Sequence, residues 1–184
     1  SLNFTTGNYD PRSALDVYRR QIRPAPLLGE TLPLLGTTVF ETDVMRGFTL
    51  DGEILVIENL NKMRAISRAV LESINQAIAI AEKDFKALVF WAPEAPFSVG
   101  ADLKSMMPEF ATGDFEAIES MVKLFQDTSM NLRYSQIPTV SAVQGFAFGG
   151  GCEFVMHSNK VVAALESYVG LVEVGVGLIP AGGG

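Results

Sequence analysis

An α/β fold, with a parallel sheet covered by helices, is predicted by three observations. Short, almost wholly apolar runs alternate with longer segments whose apolar residues recur at helical spacing. Taken in order they read β-α-β-loop-α-β-α-β, and strands apolar on both faces belong to parallel sheets covered on both sides. Hydrophobic residues make up 48% of the 184 and charged residues 19%, enough apolar material for a core.

Residues 1–50 are poorly patterned. Pro11, Pro24, Pro26 and Pro33 interrupt them, and the one helical stretch, 13–22 with Ser13 as N-cap, has no visible partner. They read as a linker or extended arm, and 51–184 as the folded domain. Asp51-Gly52 is a turn signal, followed at 53–58 (EILVIE) by a strand of four apolar residues between acids. Ser67 caps a helix over 68–83, in which Val70, Leu71, Ile74, Ala77, Ile78 and Ala81 share one face. The apolar run 87–92, flanked by Lys86 and Pro93, is too short for a helix and makes a second strand. An irregular loop follows at 93–100. The pattern at 110–134 predicts one long helix with Ile118, Met121, Val122, Phe125 and Met130 inward. A third strand is expected at 137–143, a third helix at 149–158 and a fourth strand at 161–164 (VVAA).

Charge and composition narrow the function classes. A net charge of −7 disfavours nucleic acid or an anionic membrane surface as the main partner. A single cysteine leaves no internal disulfide and no cysteine-based zinc site. No run of about 18 apolar residues is present, and the N-terminal residues lack a signal-peptide pattern. The expectation is a soluble, cytoplasmic domain.

The chemistry concentrates at 137–184. Three consecutive glycines, Gly149 to Gly151, allow close backbone approach, and a helix starting there leaves its first N–H groups unpaired. Such a turn suits a developing negative charge on an oxygen. Glu153 lies just inside that helix and Glu173 beside another glycine-rich turn, two carboxyl groups able to move protons. Taken singly, Glu153 reads as a helix-start acid and Glu173 as a solvated loop acid. His157, the only histidine, follows in EFVMH and cannot build a common zinc site alone; it reads as a packed helix residue. Cys152 reads as a small buried residue. GFAFGGG fails the GxGxxG spacing of a dinucleotide fingerprint.

Three blocks in sequence, FSVGADLK (97–104), PTVSAVQGFAFGGGCE (138–153) and Glu173 with GLIP (177–180), resemble the crotonase superfamily, and within it the enoyl-CoA hydratases. The resemblance runs from about residue 53 to 184. It implies a crotonase-like ββα spiral core, and places the backbone N–H groups of Ala101 and Gly150 as an oxyanion hole for a thioester. It implies that Glu153 and Glu173 share one water, with Glu153 helping to remove its proton and Glu173 acting as acid at the α-carbon. Contacts to the CoA part fall on Ala65, Ala101, Asp102, Leu103, Lys104 and Gly149. The side chain of Lys104 reads equally as a surface lysine. Lys62, Arg64 and Arg68 form a basic cluster where the family also meets CoA. The Met and Phe residues between 106 and 130 either line an acyl pocket or simply pack the core.

The implied activity is reversible hydration of trans-2-enoyl-CoA in fatty-acid β-oxidation, with the CoA thioester as substrate and no further cofactor. The phrase GLVEVGVGLIPAGGG resembles the hydratase part of bifunctional 3-hydroxyacyl-CoA dehydrogenase/enoyl-CoA hydratases, so NAD enters only through a dehydrogenase elsewhere in a parent chain. The ending Gly182-Gly183-Gly184 leads to the expectation of a C-terminally truncated fragment, weak or inactive alone. The parent is expected to form a trimer-type homo-oligomer. Alternatives are an enoyl-CoA isomerase, which shuttles a proton with one Glu, and a non-catalytic acyl-CoA-binding module.

Overall fold

The computed structural model describes residues 4–8 and 34–184. The helix expected at 13–22 lies outside these residues. The chain divides into two units, Ser1–Leu35 and Gly36–Gly184. In the first, residues 4–8 form a turn in which the Asn8 N–H donates to Thr6 Oγ1 at 3.4 Å.

In the second unit a six-stranded sheet runs in the order β1-β2-β3-β4-β5-β7. Its strands are β1 (Thr37–Glu41), β2 (Met45–Thr49), β3 (Ile54–Asn59), β4 (Ala87–Trp91), β5 (Thr139–Val143) and β7 (Lys160–Ala163). The β3-β4, β4-β5 and β5-β7 pairs are parallel, as the apolar runs predicted. The β1-β2 and β2-β3 pairs are antiparallel.

The reading of all of 1–50 as an arm is therefore corrected: from Gly36 onward the chain belongs to the domain. β2 is buried along Met45, Arg46, Gly47 and Phe48, and the Arg and Gly in that run mask its strand character. Arg46 is accommodated because its Nε donates to Thr38 Oγ1 (3.0 Å) and its guanidinium lies over the Phe48 ring.

Helix α1 (Arg68–Asp84) buries all six residues expected on its inner face. They meet Leu55, Ile57 and Leu88 of the sheet in one core. Burying each such side chain contributes roughly 1.5–3 kcal/mol. The single helix expected over 110–134 is two helices, α2 (Leu103–Thr112) and α3 (Phe115–Arg133). Gly113 ends α2 in the left-handed conformation, and Asp114 Oδ1 caps α3 by accepting the Ala117 N–H at 3.0 Å. On α3, Met121 and Phe125 are buried but Met130 is exposed. The inner stripe continues through Thr128 and Ser129, whose hydroxyls are satisfied by hydrogen bonds.

A second, two-stranded parallel sheet pairs β6 (Phe146–Phe148) with β8 (Tyr168–Gly170). It leads into α4 (Gly150–His157). The loop before α2 docks along β6: the Ser98 N–H donates to the Phe146 carbonyl, and the Phe148 N–H to the Ser98 carbonyl, both at 3.0 Å. That docking puts the FSVGAD and GGGCE blocks side by side.

Candidate active site

Gly100 and Gly149 are the two backbone positions that let those blocks meet. Gly100 has φ +94°, and a Cβ there would stand 2.9 Å from the Phe148 carbonyl oxygen and 3.3 Å from the Gly150 nitrogen. Gly149 has φ +51°, donates its N–H to the Gly170 carbonyl at 2.9 Å, and would place a Cβ 2.9 Å from Glu173 Oε1. Neither position admits a side chain without strain.

Two N–H groups beside these glycines are left unpaired. Ala101 forms a bridge with Ile66, but that ladder uses the Gly100 carbonyl and the Asp102 N–H. The Gly150 N–H opens α4 and has no preceding helical carbonyl. Among the described residues neither group finds an acceptor.

Ala101 and Gly150, which carry these N–H groups, both line one cavity of about 350 Å³. Glu153 and Glu173 line it, with an apolar wall that includes Met106, Phe110, Met121, Phe125 and Ile179. Glu153 is 2% exposed. Its Oε1 accepts the N–H groups of Gly182 and Gly184, each at 2.9 Å. Burial pushes its carboxyl above the usual carboxylate range, and nearby Glu173 pushes the same way; the Gly184 and Gly182 N–H groups and His157 act against this. Glu173 begins a short 3-10 turn (Glu173–Val176) and is half-buried; its Oε2 is buried with no hydrogen-bond partner.

Of the residues singled out in the sequence, Ala101, Leu103, Gly149, Gly150, Glu153 and Glu173 all line this cavity. Ala65, Asp102 and Lys104 do not. Ala65 follows a 3-10 turn (Lys62–Arg64), with its carbonyl held by the amides of Asn59 and Asn61 at 3.1 Å each. Asp102 caps α2 by accepting the Ser105 N–H, and Lys104 is exposed on that helix. Arg64 departs from the expected basic cluster: it turns inward, 3.8 Å from Glu58 Oε1, with its Nε buried and unpaired. His157 is packed, as expected, its Nδ1 2.7 Å from the Glu153 carbonyl. Cys152 is buried, as expected, and burial followed by the two nearby glutamates raises its thiol pKa.

The N–H donors of Gly182 and Gly184 were not singled out in the sequence. A backbone donor leaves no side-chain signature, and the glycine run was the only available signal.

A family model described as enoyl-CoA hydratase/isomerase matches residues 53–184. The chain belongs to the enoyl-CoA hydratase/isomerase family. It is 42% identical over 123 residues to a Rickettsia felis protein named as the trifunctional enzyme of a fatty acid oxidation complex, covering 67% of this chain and 17% of that protein. It is 36% identical over 135 residues to a Bacillus subtilis protein named as a 3-hydroxyacyl-CoA dehydrogenase, covering 73% of this chain and again 17% of the relative. The chain thus spans about a sixth of the length of these relatives. Among solved structures, an enoyl-CoA hydratase from Shewanella pealeana matches with TM-score 0.69 and 27% identity, over 76% of this chain and 53% of that one. Another from Polaromonas sp. JS666 shares the fold, with TM-score 0.70 and 22% identity, over 76% and 55%. The enoyl-CoA hydratase/isomerase family thus accounts for the fold.

Proposed function

We propose that the cavity of this enoyl-CoA hydratase/isomerase family member adds water reversibly across the double bond of a trans-2-enoyl-CoA. The supporting observation is the convergence of two carboxyl groups and two unpaired N–H groups on one apolar cavity. In this reading the thioester carbonyl accepts hydrogen bonds from Ala101 and Gly150. As water oxygen bonds to C3, the C2=C3 electrons move toward the thioester, and the developing enolate oxygen is stabilised by those fixed donors.

Glu153 takes a proton from the water. Its raised pKa strengthens the ionised carboxylate as a base, while the Gly182 and Gly184 N–H groups keep Oε1 in place. Glu173 delivers a proton to C2, and Oε2, free of any donor in the described residues, is the oxygen able to carry it. The acyl chain lies along the Met106–Phe125 wall, and Ala65, Asp102, Leu103 and Lys104 meet the CoA part. The wider reading places this chain within a β-oxidation enzyme whose dehydrogenase part uses NAD, assembled as a trimer-type oligomer in the cytoplasm. It rests on the relatives' names and the motif resemblance.

The test compares the wild type with Glu153→Gln and Glu173→Gln on a 2-enoyl-CoA and on a 3-enoyl-CoA. Hydration should fall by about 100-fold or more in both variants. Isomerisation that survives loss of one carboxylate, with no hydration in the wild type, would favour an isomerase instead. Binding of acyl-CoA without turnover in the intact protein would favour a non-catalytic module.

A further inference from the structure

Glu153 is held by a segment that has little holding power of its own. Residues 181–184 read Ala-Gly-Gly-Gly, and glycine loses more conformational freedom on ordering than any other residue. Yet the N–H groups of Gly182 and Gly184 both reach Oε1 at 2.9 Å, so the segment must be fixed from elsewhere. It is fixed by α3. Ser129, fully buried, donates its hydroxyl to the Gly182 carbonyl at 2.6 Å. One turn earlier, Gln126 Nε2 donates to the Ala181 carbonyl at 2.9 Å. The Ala181 carbonyl belongs to the peptide whose N–H, on Gly182, holds the carboxylate, and the Gly182 carbonyl belongs to the next peptide, which lies between the two donating N–H groups.

We infer that Ser129, assisted by Gln126, is a positioning residue: it orders the 181–184 segment so that two backbone donors fix Glu153 Oε1 and leave Oε2 to the substrate water. This deepens the hydratase reading above and rests on it. The hydroxyl touches no reacting atom and acts only through the peptide it holds. Among the described residues nothing donates to Oε2, so the carboxylate is oriented by Oε1 alone.

The arrangement has a titration consequence. The groups facing Glu153 are Glu173 from its 3-10 turn and Cys152 and His157 from α4; α3 presents neutral Phe125 and Ser129. Donation from Gly184 and Gly182 favours the ionised form against burial and Glu173. Loosening the segment weakens that donation, and the acid limb of the pH–rate profile moves to higher pH.

The experiment measures kcat, KM and the pH profile of crotonyl-CoA hydration in the intact protein for the wild type, Ser129→Ala, Gln126→Ala and Glu153→Gln. Ser129→Ala should lower kcat about tenfold, the equivalent of one hydrogen bond's worth of positioning. Its KM should stay within about twofold and its acid limb should shift upward. Gln126→Ala should move both in the same direction by less. Wild-type kcat and profile in Ser129→Ala, with Glu153→Gln inactive, overturns the positioning role and leaves the function standing. Wild-type hydration by Glu153→Gln overturns the function and this role with it. Should Ser129→Ala not fold, Gln126→Ala, altered at an exposed residue, decides by the same criteria.

Discussion

At Glu153 two opposed influences meet on one carboxyl group. Burial disfavours its charge, and two peptide N–H groups favour it, with burial the larger. A native pKa raised above the ordinary value of a glutamate means that the group's contribution to stability is fully present at pH below that ordinary value. It is lost as pH rises through the native value. Glu153→Gln does not titrate, so its stability relative to the wild type should improve as pH rises from 4 to 8 and level off above the native pKa. Denaturant midpoints at a series of pH values check this; a pH-independent difference would contradict it. Both glutamates and both small residues carrying the unpaired N–H groups were legible in the sequence through its resemblance to the enoyl-CoA hydratases. The contacts on Glu153 Oε1 were not, since peptide donors 29 and 31 residues away have no residue-type requirement beyond small size.

Among the elements, the loop before α2 and the turn before α4 depend on each other. Gly100→Ala puts a methyl into a left-handed backbone and against the Phe148 carbonyl. It should cost about 1–3 kcal/mol in unfolding free energy, and displacement of Ala101 should lower kcat for hydration. Urea denaturation and steady-state kinetics measure the two effects separately. At the junction of α2 and α3, Asp114→Ala removes the cap on Ala117 N–H and should cost about 1 kcal/mol with little change in KM. The break itself was present in the sequence as Thr-Gly-Asp, a helix-ending glycine followed by a capping acid. Apolar periodicity on either side bridged it, because Phe110 and Phe115 extend one apparent pattern across the gap. The parallel strands were legible for the opposite reason: each is a short apolar run bounded by charges, proline or glycine.

For the molecule as a whole, the sheet begins at Thr37, with β1 paired antiparallel to β2 and β2 antiparallel to β3. Deleting residues 36–50 removes buried Met45 and Phe48, should bare the edge of β3 that β2 pairs with, and should abolish cooperative thermal unfolding, as followed by circular dichroism. A sharp transition in the deletion variant would restore the arm reading. That reading arose because proline-rich sequence ahead of β1, and Arg46 and Gly47 within β2, hide the apolar signal at its entry point. The fold docks the loop that carries Ala101 along β6, next to the turn that carries Gly150, and the proposed function needs both to act together. Incubating the intact protein with crotonyl-CoA in water labelled with heavy oxygen and deuterium follows the proton transfer to C2 and the new C–O bond in one experiment. Labelled oxygen should appear at C3 and one deuterium at C2, both lost together in Glu153→Gln and in Glu173→Gln. Undiminished labelling at both carbons in either single variant would contradict the proposed function.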